Sequence, residues 1–299
     1  MPELPDIVVY LEALDRRVTG RVLEHFRVAS PSLLRTYRPA HTELEGLRVL
    51  GLERVGKRIV WRFEGERYLV IHLMIAGRLQ WKAQPGATIA RKVGLAAWDF
   101  ENGTLLLTEQ GTRKRAGVWV FESRDGVDAE NRGGVEPLEV TPVEFDEALR
   151  RENRTLKRAL TDPRLFSGIG NAYSDEILWE AQLSPVKRTG QLDPAEVDRL
   201  YQAVRSSLNT WTDLMRSQVG DGWPTKVTAF RPEMAAHGKY GEPCPRCGSP
   251  IQRISYASNE TNYCATCQTG GKLLADRSLS RLLKDDWPAT LEELEERRS

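Results

Sequence analysis

Apolar residues recur at helical spacing from the start of the chain. Ile7, Val8, Leu11, Leu14 and Val18 fall on one face of a 3.6-residue period and predict a first helix buried along that face. The pattern then shortens. Arg48–Leu52, Lys57–Phe63, Tyr68–Leu73, Arg78–Trp81, Thr104–Thr108 and Val118–Phe121 are rich in β-branched and aromatic residues, with Gly56, Gly65, Gly77, Gly103 and Gly111 between them. Short strands punctuated by glycine predict an antiparallel sandwich or barrel. Arg124–Gly134 is polar and contains glycine, the texture of a linker. From Thr141 the helical period returns: Pro142–Glu152, Thr155–Asp162, Asn171–Gln182 and Pro194–Trp211 read as helices, the last carrying Leu200, Val204 and Leu208 at i, i+4, i+8. The chain is therefore expected to be α+β: an N-terminal antiparallel β-sandwich with a leading helix (1–125), a linker (126–140), a helical domain (141–238), a cysteine-bearing hairpin (239–268) and a C-terminal extension (269–299).

The four cysteines, the only ones in 299 residues, change this picture most. Cys244-Pro-Arg-Cys247 and Cys264-Ala-Thr-Cys267 are separated by the sixteen residues 248–263. That is the spacing of a four-thiolate zinc site, closed to substrate and hence structural. Ile251–Tyr256 and Thr261–Tyr263 alternate as two strands of a hairpin turning around Ala257–Glu260, with a tip free to touch a partner. Composition adds little: 40% hydrophobic, 28% charged and a net charge of +1 describe an ordinary soluble protein and decide neither for nor against nucleic acid. No apolar run reaches the length of a membrane span and no signal-peptide pattern opens the chain, so a cytoplasmic protein with no membrane partner is expected.

The chemistry points to the first three residues. Proline at position 2 favours removal of Met1, which leaves a secondary amine at the chain start. An α-amino group titrates near pH ~7.7–8.0, so part of it is nucleophilic at neutral pH. Such an amine can attack a sugar C1′ or a carbonyl and pass through a Schiff base. Glu3 lies next to it as a proton-transfer carboxyl. The positive end of the following helix disfavours a second positive charge and so favours the neutral amine. Farther on, Gly168-Ile-Gly-Asn171 forms a tight turn at a helix start, where backbone N–H groups and the Asn171 amide suit a phosphate oxygen.

Together these stretches resemble the formamidopyrimidine-DNA glycosylase/endonuclease VIII family. Met-Pro-Glu-Leu-Pro, the Gly-Lys at Lys57, and His72-Leu73 followed by Ala76-Gly77 resemble its N-terminal domain. Lys157, Asp162 and Gly168–Leu178 resemble its helix–two-turn–helix, and Gly241-Glu-Pro-Cys through Gln268 its zinc hairpin. The resemblance implies a bacterial, nucleoid-associated monomer with one structural zinc held by Cys244, Cys247, Cys264 and Cys267. Its partner would be damaged DNA, duplex or single-stranded. It implies a catalytic group of Pro2, Glu3 and Lys57, with Pro2 attacking C1′ as an oxidised base leaves and the Schiff base then opening the strand by β- and δ-elimination. Lys57, His72, Arg113, Lys114, Lys157, Asn171 and Asn259 would contact the DNA.

Four positions depart from the family pattern. Asn259 stands where the hairpin tip usually carries arginine. Ile75 stands at the position of an inserted methionine. Lys114 and Ala116 stand at those of an Arg-x-Phe pair, giving a wedge poor at supporting an unpaired base. These departures suggest single-stranded or non-canonical DNA as substrate. They also keep open a catalytically weak or inactive DNA-binding protein of the same fold. An RNA-binding zinc ribbon is a further alternative, without an RNA-specific motif in its support. The extension is expected to pack as one helix through Leu273, Leu274, Leu279, Leu282 and Leu283, followed by an acidic end with Asp285, Asp286, Glu292, Glu293, Glu295 and Glu296.

Overall fold

A computed structural model describes residues 1–256, 259–275 and 288–296. The chain forms two compact units: Met1–Arg132 with Trp211–Thr228, and Gly133–Thr210 with the chain from Ala229 onward.

The first unit begins with α1 (Leu4–Val18), whose buried face carries Ile7, Tyr10, Leu14 and Val18. Strands β1 (His25–Val28), β2 (Val49–Val55), β3 (Arg58–Phe63), β4 (Arg67–His72), β5 (Gly77–Lys82), β6 (Gly94–Phe100), β7 (Gly103–Glu109) and β8 (Gly117–Phe121) build two four-stranded antiparallel sheets. Their orders are β1-β6-β7-β5 and β2-β3-β4-β8. The expected sandwich is therefore present, with two more strands than the pattern indicates. β1 has only four residues, and β6 reads Gly-Leu-Ala-Ala-Trp-Asp-Phe, with no β-branched residue to signal it. Its small residues are fully buried, so packing rather than propensity makes it a strand.

Aromatic rings fill the space between the sheets. Trp61 lies 6.0–6.1 Å, centroid to centroid, from Phe63, Trp98 and Phe100, all fully buried. Trp223, from the second segment of this unit, donates its indole N–H to the Leu79 carbonyl at 3.0 Å and packs its ring against Tyr10, while Val227 joins the same core. Residues 211–228, expected within the helical domain, thus pack with the sandwich. The polar stretch after β8 is not all linker either. α2 (Arg124–Asp128) seats Val127 against Val55, Val60, Tyr68 and Val70 on the outer sheet face.

The second unit holds α3 (Pro142–Arg150), α4 (Leu156–Thr161), α5 (Asn171–Glu180) and α6 (Pro194–Val219), the C-terminal part of α6 belonging to the first unit. Thr141 caps α3, its hydroxyl accepting from the Glu144 N–H, with proline at the first helical position. The hairpin is β9 (Ile251–Ser255) paired with β10 (Glu260–Cys264), closed by α7 (Ala265–Thr269).

Past it the extension differs from the expected single helix. Leu273 and Leu274 lie outside any helix, and the Leu273 N–H donates to the Ala289 carbonyl at 2.8 Å. Leu291 and Leu294 of α8 (Leu291–Glu296) join Leu273 and Leu274 against Ile254 and Tyr263 of the hairpin. The alternating hairpin strand offers an apolar outer face, and two short segments cover it. Glu292, Glu293 and Glu296 lie on α8; Leu279, Leu282, Leu283, Asp285 and Asp286 fall outside the described residues. Among the described residues no helix is long and apolar enough to cross a membrane.

Trp61 is the central contact of the aromatic layer. Trp61→Ala is expected to cost about 3–5 kcal/mol of stability, as large aromatic truncations in cores do, measured by urea unfolding with tryptophan-independent far-UV detection.

Candidate functional site

In the first unit the start of α1 is a buried polar corner. Glu3 is the residue before the helix, and its N–H donates to Asp6 Oδ2 at 2.9 Å. Both carboxylates are only 2% exposed and Pro2 is buried. The pKa of the terminal amine, here on Met1, is held below its ordinary value of 8.0, first by burial. The carboxylates of Glu3 and Asp6 oppose that shift, and the cations Arg78 and Lys57 assist it. Lys57 occupies, with Gly56, the two-residue turn joining β2 to β3, where Gly56 has φ +62°. A positive φ at the first turn position is what a tight hairpin of this hand needs. The turn fixes Lys57 at the edge of the sheet, one residue before the expected strand interior. The corner therefore combines a partly desolvated amine, a carboxyl and a lysine, which is the equipment for a nucleophile, a proton carrier and an anion holder.

Strand register sets a second feature. Gly77 pairs with Glu109 in one sheet and His72 with Gly117 in the other. The crossovers 73–76 and 110–116 must therefore run side by side from sheet to sheet. Ile75 tips the first, 55% exposed, beside Met74 with φ +52°. His72 Nδ1 accepts the Met74 N–H at 3.2 Å, which leaves Nε2 as the protonated nitrogen. Burial, with Arg58 and Lys57 nearby, pushes His72 down to about 4, so it is a neutral donor rather than a cation at pH 7.

Glu109, buried, clamps the second crossover. Its Oε2 accepts the N–H groups of Arg115 (2.8 Å) and Ala116 (3.1 Å), and its carbonyl accepts from Lys114 Nζ. Arg113 and Arg115 are exposed and Lys114 is half-buried. Ala116, expected in the wedge, is 2% exposed and belongs to the core. Its short side chain meets the space between the sheets, so the wedge positions of this loop are the basic residues ahead of it.

The second unit places Lys157 and Asn171 differently from the phosphate-facing turn read from the sequence. Residues 167–170 are buried, Gly168 with φ +80°. Lys157 Nζ donates to the Asn171 carbonyl and to Asp175 Oδ1, both at 2.6 Å. Asn171 Nδ2 donates to the Glu260 carbonyl of the hairpin at 3.1 Å. Lys157 keeps one of its three N–H donors. Asp175 Oδ2 lies 2.7 Å from His237 Nδ1, and Glu176 accepts the N–H groups of Ala235, Ala236 and His237 at 2.8–2.9 Å. Burial raises the Glu176 pKa against the pull of those three donors.

Sequence reading missed this carboxylate pair. Its one signal is two adjacent acids inside an otherwise apolar helix turn, Ala-Tyr-Ser-Asp-Glu-Ile-Leu. Beside it, α4, the start of α5 and the hairpin enclose a groove of about 1040 Å³, whose lining includes Lys157, Asn171 and Asn259. Asn259 is exposed, and its carbonyl accepts the Tyr256 N–H at 2.8 Å.

The four cysteines come together at the base of the hairpin, their sulfurs within 4.8 Å of one another. Cys244 and Cys267 sulfurs are 4.0 Å apart, Cys247 and Cys264 3.4 Å. A tetrahedral zinc with Zn–S of ~2.3 Å needs sulfurs about 3.8 Å apart, so the donor set fits. Trp179 donates its indole N–H to Cys244 Sγ at 3.3 Å, and its ring carries the Arg246 guanidinium 4.1 Å above the centroid. The outer partners that fix a metal ligand are thus in place.

A two-sheet unit with a buried amino terminus, joined in sequence to a helical unit and a four-cysteine hairpin, is the layout of a DNA-repair glycosylase. Family models agree segment by segment: the formamidopyrimidine-DNA glycosylase N-terminal domain matches residues 1–117, the H2TH domain of the same enzymes 134–218, and the zinc finger found in FPG and IleRS 241–270. The formamidopyrimidine-DNA glycosylase of Thermus thermophilus is 33% identical over 281 residues, covering 91% of this chain and all of that one. An uncharacterised formamidopyrimidine-DNA glycosylase-like protein of Mycobacterium tuberculosis is 40% identical over 151 residues, half of this chain and 94% of its own length. Lactococcus lactis Fpg bound to abasic-site DNA superposes with a TM-score of 0.79 at 26% identity, over 89% of this chain and 99% of that one. A MutM complex with DNA containing carbocyclic 8-oxo-G gives the same score at 26% identity, over 90% of this chain and all of that one. The chain belongs to the formamidopyrimidine-DNA glycosylase family.

The His72 shift has a pH consequence. Its folded pKa lies below the unfolded value of 6.5, so the unfolded state binds the proton more readily between the two. Its contribution to stability is full above pH 6.5 and is lost as pH falls towards 4. Thermal melts between pH 4 and 7 should therefore fall less steeply for His72→Gln than for the unaltered protein.

Proposed function

We propose that this chain is a base-excision DNA glycosylase with abasic-site lyase activity, acting through the amine of Pro2 once Met1 is removed. The observation that carries the reading is Pro2 buried beside the buried Glu3 at the start of α1, in a chain of this family. The extruded nucleotide presents C1′ to the Pro2 nitrogen. The nitrogen–C1′ bond forms as the C1′–base bond breaks and the base departs with its electron pair; the Glu3 carboxylate takes the proton from the nitrogen and delivers it to the ring oxygen as the C1′–O4′ bond breaks, leaving an iminium. Loss of a C2′ proton then expels the 3′ phosphate, and a second elimination expels the 5′ phosphate. Burial of Pro2 serves this sequence, because a desolvated site disfavours the charged form and only the unprotonated amine attacks.

Each unit supplies its own DNA contacts. In the first, Lys57 is a cation and His72 a neutral N–H donor for phosphates, with Ile75, Arg113 and Lys114 on the adjoining crossovers. In the second, Asn171 and the remaining donor of Lys157 face the groove, and Asn259 lies at the hairpin. With Ala116 in the core, only Ile75 offers an apolar tip, which favours substrates with little need for a filled stack: single-stranded, bubble or mismatched DNA carrying an oxidised base. Cys244, Cys247, Cys264 and Cys267 hold one structural zinc, which contributes folding energy to the hairpin when bound. We place the protein in the bacterial cytoplasm as a monomer.

Borohydride trapping on abasic DNA tests the nucleophile. The unaltered protein should form a covalent adduct, and Pro2→Gly or an uncleaved N-terminal tag should reduce it at least a hundredfold, on the order of the loss of a covalent nucleophile. Binding without any trapping by the unaltered protein would instead identify a non-catalytic DNA binder of this fold.

Metal analysis tests the hairpin. One zinc per chain is expected, with Cys264→Ser binding none and losing DNA affinity. Full zinc occupancy in that variant would remove the assignment.

A further inference from the structure

The groove of the second unit holds more charge than its phosphate contacts use. Four cations line it: Arg154, Lys157, Arg158 and Arg188. Arg154 is ion-paired with Asp162 and Glu152, and Lys157 with Asp175. Arg158 and Arg188 are exposed and make no ion pair among the described residues; Arg188 is only steadied, through one N–H to the Asn153 carbonyl at 3.2 Å. Across the groove stands the hairpin, which lines it with Ile254, Tyr256, Asn259 and Thr261 and with no cation among the described residues. Tyr256 is 45% exposed beside the neutral Asn259, held at its backbone by the 2.8 Å bond between the two residues. The Tyr256 hydroxyl has no hydrogen-bond partner among the described residues, so nothing in the fold accounts for displaying the ring.

We propose that this groove binds an unpaired DNA strand, with Arg158 and Arg188 on its phosphates and Tyr256 stacked on a base. A positively charged track with an aromatic platform is what strand binding without sequence readout requires. A duplex keeps its bases stacked on each other and offers the ring no face, whereas its phosphates would satisfy the arginines alone. The aromatic therefore selects for an unpaired strand. The assignment rests on the reading of the chain as a DNA-acting protein and extends its contacts beyond the nucleotide that reacts.

The probe is an unmodified fifteen-nucleotide deoxythymidylate, with no lesion and no abasic site, compared with a duplex of equal length by fluorescence anisotropy across a salt series. Tyr256→Ala should weaken single-strand binding about tenfold, the usual effect of removing one stacking partner. Tyr256→Phe should stay within about twofold, since the ring and not the hydroxyl does the stacking. Duplex affinity should hold in both. Arg158→Ala and Arg188→Ala should each reduce the slope of log affinity against log salt by about 0.7 on the single strand. Unaltered zinc content and melting temperature confirm that each variant is folded. Undiminished single-strand binding by Tyr256→Ala overturns the proposal, as does an equal loss on duplex. Tighter, Tyr256-dependent binding of oligouridylate assigns the groove to RNA and overturns it as well. Because the probe cannot react, a protein that fails borohydride trapping yet shows this Tyr256 dependence keeps the groove and loses only the lyase. Trapping with no Tyr256 dependence does the reverse.

Discussion

Carboxylates withdrawn from solvent that accept backbone N–H groups anchor four segments beside the candidate sites of this protein. Removing a carboxylate from water costs several kcal/mol unless hydrogen bonds replace its hydration. Here the replacements are loop amides, so each acid and its loop fix one another. Asp6 holds the N–H of Glu3 at the chain start. Glu109 holds those of Arg115 and Ala116 in the basic crossover. Glu176 holds three successive N–H groups just ahead of the cysteine hairpin. Asp162 accepts the Arg164 guanidinium and N–H, which hold its carboxyl down at about 2. A loop anchored this way can carry exposed cations without a hydrophobic anchor of its own.

The same economy explains what the sequence does and does not disclose. The hairpin was readable, because four cysteines at fixed spacing leave one geometry open to them, and their sulfurs do converge. The sandwich was readable from its glycine-bounded strands, while β6 was not, since alanines within a strand are silent until a neighbouring strand buries them. The carboxylate clamps were invisible for a related reason. Their partners are backbone amides, which every residue possesses, so no side-chain pattern marks them. Ala116 shows the limit from the other side: alignment to a motif puts it in a wedge, but it is buried in the core between the sheets. Lys157 is legible by motif, but its pairing is not. Its ammonium is tied to Asp175, and only the fold reveals that a lysine in a phosphate-binding motif is mostly spent on a neighbour.

That pairing bears on where electrostatic affinity for DNA originates. A cation binds a phosphate favourably in salt because counterions condensed on the DNA are released. When a carboxylate already compensates the cation, the phosphate meets a near-neutral pair, and less is gained. Lys157 and Arg154 are in that state, and their fixed positions suit orientation of a strand more than its capture. Arg158, Arg188 and Arg113 make no such pair among the described residues. His72, neutral at pH 7, would likewise position a phosphate without attracting it. On the proposed function, capture and orientation fall to different side chains, and a net charge of +1 is compatible with binding a polyanion because exposed cations such as Arg113, Arg158 and Arg188 lack a compensating carboxylate among the described residues. The tip of the hairpin follows the same division: with Asn259 in place of a cation that position would add no attraction, and beside it stands the Tyr256 ring, whose stacking would not diminish as salt screens the charges.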